Sequence, residues 1–301
     1  MLTNIQDLEL HYTNKMQTAS TTETWDLEIK PKTKLLDLHL KDVWKYRDLM
    51  VLFVKRDFVA QYKQTILGPV WHFIQPILTT MMFVLVFGRI ARIPTEGVNP
   101  ILFYLSGITI WNYFSASLTN TSSTFISNAH IFGKVYFPRL VMPISVILSN
   151  LIRLGIQFLL LFSVMAWRYL QGDLILITWY WLCIPLIILL MAGISLGCGI
   201  VISSLTTKYR DFNVLLGFIV QLGMYATPVA YPLSYLKGKG FKWIVDLNPL
   251  TSVVEAFRYC LLGRGTVEPT SILYSIVFML IVLFIGAILF NKTEKTFMDT
   301  V

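Results

Sequence analysis

The sequence predicts an all-α integral membrane protein with six transmembrane helices, an N-terminal amphipathic interface helix and re-entrant outer helices before the last span. Three observations support this prediction. Of the 301 residues, 55% are hydrophobic and only 14% are charged, whereas soluble domains carry about 25% charged residues. Six apolar runs are long enough to cross a bilayer, which takes about 20 residues per helix. The formal net charge of +8 suits an anionic membrane face or an anionic cargo, and the absence of a dense Lys/Arg block in the sequence argues against nucleic acid.

The N-terminal part divides into two regions. Residues 1–34 have no helical periodicity, and we expect a cytosolic extension there. In the following region, 35–68, polar and apolar side chains fall on opposite sides of a helix, which is typical of a helix at the membrane–water boundary. A helix packed against a soluble core remains the alternative. The polar side comprises Lys45, Asp48, Lys55, Arg56 and Lys63, and the apolar side comprises Tyr46, Leu49, Met50, Phe53, Val54, Phe58 and Ala60; Leu52 and Val59 interrupt the polar side, and Arg47 and Asp57 interrupt the apolar side.

We assign residues 69–301 to a six-span transmembrane domain. The fourth span is long for one crossing, so we expect it to tilt, to lie partly in the interface near Trp179, or to bend near Pro185 or near Gly193, Gly197 and Gly199. Arg153 is the one charge within the predicted spans. It should face protein or water, in a structural or a functional role. The predicted spans are residues 70–88, 100–118, 140–167, 174–204, 212–231 and 271–290.

Loop charges predict the orientation. With the N-terminus inside, the inner segments carry 16 Lys and Arg residues and the outer segments carry 8. Because positive charge accumulates on the cytoplasmic side, we expect both termini to be cytoplasmic. The outer segment contains "NPLTSVVEAFRYCLLG", which predicts a helix of two to three turns that begins after Asn248 and ends at Gly263. Glu255 and Arg258, three residues apart, can form a pair on this helix.

Several chemistries are disfavoured. The pairs Gly133-Lys134 and Gly238-Lys239 lack the other residues of a GxxxxGK[ST] phosphate loop, so we expect no ATP hydrolysis in this chain. Its four histidines are scattered, and we expect neither a metal site nor a catalytic residue. No predicted span contains a carboxylate, which argues against an ion-coupled carrier. A membrane-embedded enzyme would have to draw its acids from Asp246, Glu255 and Glu268.

Four segments in this order resemble one known family. They are "QTILGPVWHFIQPILTTMMFVLVFG", "SNAHIFGKVYFPRLVMPIS", "KYRDFN" and the outer "NPLTSVVEAFRYCLLG". Together, over roughly residues 35–290, they resemble the membrane subunit of type-2 ABC transporters, in the branch that exports polysaccharides such as O-antigen and teichoic acid. The resemblance implies a homodimer in the bacterial inner membrane, two separate cytosolic subunits that use ATP and Mg²⁺, and a polyprenyl-diphosphate-linked glycan as cargo.

The resemblance also implies roles for particular residues. A coupling helix at about 123–138 would insert into the ATPase, with exposed aromatic anchors; a plain connecting loop is the alternative. The first and fifth spans would line the pore, although helix packing explains any single residue there. The outer helices at about 233–263 would form a gate. The coupling residues would be Asn128, His130, Phe132, Lys134, Phe137, Pro138 and Arg139; the pore residues Trp71, Phe73, Gln75, Phe218, Gln221 and Tyr225; and the gate residues Asn248, Pro249, Glu255 and Arg258.

The cationic interface helix then gains a possible function. Lys55, Arg56 and Lys63 would receive the anionic head group of the cargo, while Trp44 and Tyr62 would stack on its first sugars. Anchoring to anionic membrane lipid explains the same residues. The leading hypothesis is an ATP-driven exporter of lipid-linked, O-antigen-like polysaccharide. The alternatives are export of a teichoic acid or a small amphiphile such as a drug by the same architecture, and a membrane-embedded glycan-modifying enzyme.

Overall fold

A computed structural model describes residues 40–63, 65–132, 134, 137–173, 178–207, 209, 211–236, 240 and 242–300, with side chains from 41 to 293. These residues form helices and connecting turns, and they include no strand. The all-α prediction is therefore confirmed for this part of the chain. The predicted cytosolic extension over 1–34 lies outside the described residues.

The helices follow the apolar runs of the sequence. Two of them carry tighter or wider turns at an end: the helix Trp71–Phe83 starts from a 3₁₀ turn at Gly68–Val70 and continues as a π-helix over Val84–Ile90, and the helix Ile184–Thr206 starts from a 3₁₀ turn at Trp179–Cys183. A further 3₁₀ turn at Leu233–Leu236 precedes the helix Lys242–Leu247. The helices are α1 Leu40–Lys45, α2 Arg47–Tyr62, α3 Trp71–Phe83, α4 Pro100–Ser122, α5 Thr124–Ser127, α6 Ala129–Phe132, α7 Val141–Leu170, α8 Ile184–Thr206, α9 Phe212–Ala226, α10 Lys242–Leu247, α11 Pro249–Leu262 and α12 Pro269–Thr300.

Five helical segments among the described residues are long and apolar enough to cross a membrane. They agree with five of the predicted spans, in four of them to within four residues at each end. The fourth predicted span is the exception, because its helix starts later, at Trp179, and Pro185 lies in its first α-helical turn. The five segments are Gly68–Ile90, Pro100–Ser122, Val141–Leu170, Trp179–Thr206 and Pro269–Thr293.

The predicted fifth span, 212–231, contains a shorter helix. Helix α9 has 15 residues and is about 22 Å long, less than the roughly 30 Å of a hydrocarbon core. It ends at Thr227, whose backbone is extended, with φ −108° and ψ 144°. Thr227 precedes Pro228, and helical backbone is disfavoured for a residue that precedes a proline. The exact count of six crossings therefore stays a prediction.

Helix α4 occupies the centre of the bundle. It is buried along most of its length and packs against α3, α7, α8 and α11. Several of its hydroxyl side chains donate to carbonyl oxygens of the preceding turn, as where Thr109 donates to the Leu105 carbonyl oxygen at 2.8 Å. A helix can be surrounded by apolar material only when its backbone polar groups form hydrogen bonds within the protein.

Helices α8 and α12 pack backbone to backbone through glycines. A Cβ atom on Gly197 would lie 3.0 Å from the backbone nitrogen of Leu283, and one on Gly286 would lie 3.1 Å from the Gly197 carbonyl oxygen. Both distances are too short for a side chain without displacement of the partner backbone. Small residues of this kind allow close helix packing within membranes.

Helix α2, the predicted interface helix, packs against α7. Its Met50 and Phe53 are buried in a cluster with Phe125, Phe132 and Phe137. Leu52 and Val59, which interrupt the polar side, are each 59% exposed. The apolar side therefore contacts protein in part, as well as leaving apolar surface uncovered.

Candidate functional site

The predicted coupling helix consists of two short helices, α5 and α6, that meet at Asn128. The Asn128 side chain is buried and donates to the Thr124 carbonyl oxygen at 3.0 Å, while its Oδ1 accepts from Nη2 of Arg56 at 3.3 Å. His130 and Lys134 are exposed. The Arg56 contact joins the predicted coupling and entrance sites, a link that the sequence analysis did not anticipate.

The expectation that Phe132 and Phe137 are exposed anchors is wrong. Both side chains are only 4% exposed, and their ring centroids lie 5.8 Å apart. Phe53 lies 5.7 Å from Phe137, and the Arg139 guanidinium lies 5.6 Å from the centroid of Phe132. These contacts pack Phe132 and Phe137 against Phe53 of α2. Among the described residues of this region, His130 and Lys134 are exposed, and Ile126 is 41% exposed.

The predicted entrance residues lie along α2 and at its ends. Lys55 and Lys63 are exposed, and Trp44 is 68% exposed. Arg56 forms a salt bridge with Asp57 at 2.7 Å. Tyr62 is half-buried, with its ring edge-on to His72 at 5.6 Å between centroids. Burial raises the pKa of the Tyr62 phenol, and the positive charge of Arg153 acts in the opposite direction.

The predicted pore residues lie on two separate helices. On α3, Trp71 is 52% exposed; on α9, Phe218 and Tyr225 are 61% and 52% exposed. Gln221 is exposed and Phe73 half-buried. Most of these side chains lie on the surface of the chain. Gln75 is also exposed, and it lines a cavity between α2, α3, α4 and α7.

Helix α11 begins and ends at the predicted residues. The Asn248 side chain accepts from the backbone N–H of Leu250 at 3.0 Å, Pro249 occupies the first turn, and Gly263 ends the helix at φ 68°. The helix has 14 residues, about four turns, so the predicted length of two to three turns is too short. Asn248 also donates to Thr227 Oγ1 at 2.8 Å, which ties the helix to the end of α9.

The predicted Glu255–Arg258 pair is present and fully enclosed. The nitrogen–oxygen distance is 3.0 Å and each side chain is 1% exposed. Arg258 also donates to the carbonyl oxygens of Pro228 and Val229 at 2.9 and 3.3 Å, and its guanidinium lies 3.9 Å from the Phe103 ring centroid. Burial raises the pKa of the Glu255 carboxyl, and the Arg258 charge lowers it. This pair attaches α11 to α4 and to the turn after α9.

The family model described as "ABC-2 type transporter" matches residues 49–262. The match runs from the interface helix α2 to the last residue of α11, and so includes the predicted entrance, coupling, pore and gate residues, apart from Trp44. The chain belongs to the ABC-2 type transporter family. It is therefore a multi-pass membrane protein, as its five membrane-length helices indicate.

Relatives in this family match almost their whole length. The chain is 32% identical over 254 residues to the O-antigen export system permease protein RfbA of Klebsiella pneumoniae, which covers 84% of this chain and 94% of that protein. It is 24% identical over 265 residues to RfbA of Myxococcus xanthus, covering 87% and 98%. It is 23% identical over 254 residues to the polysialic acid transport protein KpsM of Escherichia coli, covering 81% and 93%.

This ABC-2 chain contains one further site that the sequence analysis did not locate. A polar cavity of about 350 Å³ lies between α2, α3, α4 and α7 and includes Arg153. The only sequence signal was that Arg153 is the single charge within the predicted spans. The other residues that line the cavity come from four helices and include amides, hydroxyls, His72 and the apolar Ala116 and Leu154, and their meeting depends on the tertiary fold.

Proposed function

We propose that this chain is the membrane subunit of an ATP-driven exporter that moves a lipid-linked, O-antigen-like polysaccharide across the bacterial inner membrane. The observation that carries the proposal is the similarity to an O-antigen export permease over 84% of this chain and 94% of that relative. Membership of the ABC-2 family supports the same assignment.

The energy source is a separate subunit. The sequence contains no GxxxxGK[ST] phosphate loop, so ATP and Mg²⁺ would bind to two cytosolic ATPase partners. The exposed His130 and Lys134 give the α5–α6 segment a surface for contacting such a partner. The buried Asn128 and its bond to Arg56 would transmit a displacement of that segment to α2.

The passage for the glycan would form between two copies of the chain. Helices α3 and α9 each expose aromatic side chains, including Trp71, Phe218 and Tyr225. Aromatic rings present apolar faces on which sugars can slide, and the Gln221 amide can hydrogen-bond to hydroxyl groups. Helix α11 and the turn before it would close the passage on the outer side.

One observation argues against the enzyme alternative. Glu255, one of its three candidate acids, is 1% exposed and bonded to Arg258, and the pocket that it lines with Asp246 and Glu268 has a volume of only about 30 Å³, too small for a sugar. The relatives are named as permease and transport proteins. An exporter of a teichoic acid or a small amphiphile would share the same fold, and competition by those compounds for transport distinguishes it from an O-antigen exporter.

Reconstitution tests the proposal. Affinity purification of the full-length chain should recover an ATP-binding subunit, and proteoliposomes containing both should translocate a lipid-linked glycan only when ATP is supplied. Translocation by the chain alone would contradict the proposal. Orientation is tested with Lys134→Cys in a variant whose three native cysteines are serine: a membrane-impermeant thiol reagent should label it from the cytosol and not from the periplasm.

A further inference from the structure

The cavity around Arg153 is built from polar side chains of four helices. Its walls include Gln61 of α2, His72 and Gln75 of α3, Asn112 and Asn120 of α4, and Asn150 and Gln157 of α7. It lies near the end of α4 that leads into α5, and Gln61 connects it to the interface helix. Its volume of about 350 Å³ falls within the roughly 300–1,000 Å³ of small-ligand sites.

The cavity contains polar atoms without partners. Asn150 and Gln157 are buried, with only 1% and 8% of each residue exposed. Asn150 Nδ2 and Gln157 Oε1 nevertheless make no hydrogen bond to any described residue. The His72 Nε2 and Tyr62 hydroxyl beside them are also buried without a partner in that part of the chain. An unmet buried polar group costs about 1–3 kcal/mol, so such groups normally have a partner. A cluster of them indicates a missing polar ligand or solvent.

Among the described residues that line this cavity, Arg153 is the only charged one. Its Nη1 donates to Asn150 Oδ1 at 2.8 Å, and no described carboxylate lies within salt-bridge distance. A positive charge at membrane depth is unfavourable by about 2.5–3.5 kcal/mol on an insertion scale. An anion in the cavity would offset this cost.

The ligand chemistry follows from these groups. A guanidinium presents donors in a planar fork that matches the oxygens of a phosphate. The surrounding amides both donate and accept, as the hydroxyl groups of a sugar require. The cavity thus suits a phosphate ester that carries a hydroxyl-rich group.

We propose that the Arg153 cavity binds the diphosphate and first sugar of the lipid-linked glycan before it enters the passage. This inference rests on the proposed function and adds a binding site to it. Arg153 would hold the phosphate, and Asn150 and Gln157 would bond to the sugar. An anionic phospholipid has a related head group, and the experiment separates the two sources.

Native mass spectrometry of the full-length chain provides the test. The probes are a short-chain polyprenyl diphosphate disaccharide and, separately, phosphatidylglycerol. We expect Arg153→Met to weaken binding of the glycan probe about 10- to 100-fold, the effect of losing a charge-assisted hydrogen bond, with little change for phosphatidylglycerol. Arg153→Lys should bind at an intermediate level, because it retains the charge without the fork.

Two further variants control for charge and for folding. Arg47→Met removes an exposed positive charge of α2 outside the cavity and should leave glycan binding unchanged. Gln157→Leu keeps the net charge and should weaken binding of the glycan probe while leaving binding of phosphatidylglycerol unchanged. Size-exclusion chromatography confirms that each variant is folded before binding is measured.

Two results would overturn the inference. Equal loss of both probes in Arg153→Met would assign the cavity to membrane lipid, and unchanged binding of both would leave it as a solvent-filled space. In either case ATP-dependent export by the unmodified protein would still stand, so the proposed function survives. A different result would contradict the proposed function itself: the absence of both glycan binding and glycan export in the unmodified protein.

Discussion

Two arginines lie in enclosed parts of this molecule, and their surroundings are opposite. Arg258 is 1% exposed and has a carboxylate, two carbonyl oxygens and an aromatic face as partners. Arg153 is half-buried, has one amide partner among the described residues, and borders a cavity of about 350 Å³. The fold gives the first cation a charged partner and two carbonyl acceptors, although its Nε has no partner among the described residues; the second cation has no charged partner among them and borders open space.

A structural charge and a ligand-binding charge can be distinguished by the effect that removing each one has on stability. Removing one partner of a buried ion pair leaves the other charge buried and unpaired, which costs about 3–5 kcal/mol. Removing a charge that has no charged partner costs the fold little. Stability and transport should therefore respond in opposite ways at the two arginines, and four experiments test this comparison.

The largest effect is expected for Arg258→Met. This change leaves Glu255 buried without its partner, and we expect the free energy of unfolding to fall by about 3–5 kcal/mol. Equilibrium unfolding of the detergent-solubilised protein measures it. The double variant with Glu255→Leu should recover part of the loss, because two apolar side chains can replace a buried pair. A single variant as stable as the unmodified protein would break the comparison.

A pair of glycines gives the next effect. A Cβ on Gly107 would lie 3.0 Å from Arg258 Nη2 and from the Val229 carbonyl oxygen, so Gly107→Ala should lower the unfolding free energy by about 1–3 kcal/mol. Gly155, on α7 beside Arg153, has nothing within 4 Å of its Cβ position. Gly155→Ala is the matched control and should raise the stability by about 0.5–1 kcal/mol. Equal effects at both glycines would contradict the difference in packing.

Arg153→Met should change stability less. Arg153 has no carboxylate partner among the described residues, so its removal leaves no carboxylate unpaired. We therefore expect the unfolding free energy to stay within about 1 kcal/mol of the original value or to increase, since the insertion cost of the charge is removed. ATP-dependent glycan export should nevertheless fall at least tenfold, as expected for loss of a charge-assisted contact. A loss of stability as large as that of Arg258→Met would show that Arg153 is structural.

The smallest effect is expected for Asp246→Asn. Asp246 forms a half-exposed pair with Lys242 at 3.3 Å, and exposed pairs contribute about 0–1 kcal/mol. Export should be retained in this variant and in Glu268→Gln. Complete loss of function in both, with the fold intact, would favour the glycan-modifying enzyme instead.

Features that depend on residues within one segment could be predicted from the sequence. Five apolar runs predicted the five membrane-length helices, and Asn248-Pro249 and Gly263 marked the ends of α11 because capping is a local interaction. The Glu255–Arg258 pair was also predictable, since residues three apart share one face of a helix. The length of α9 was not, as its apolar run continues beyond the point where Thr227 leaves the helix.

Contacts between distant segments were not readable. Phe132 and Phe137 read as exposed in a short loop, because the residues that cover them, Phe53 and Phe125, lie on other helices. The Arg56–Asn128 bond likewise joins residues 72 positions apart. The Arg153 cavity combines side chains of four helices, so periodicity within any one of them could not reveal it.

The attachment of Arg258 has a consequence for how this sequence can change. Its guanidinium binds Pro228 and Val229 through main-chain oxygens, which every amino acid possesses. This attachment therefore does not depend on which side chains the turn after α9 carries, whereas the burial of Val229 and the bond between Thr227 and Asn248 do restrict those positions. Gly107, against which that same turn rests, is restricted by space, because a Cβ there would lie 3.0 Å from the Val229 carbonyl oxygen.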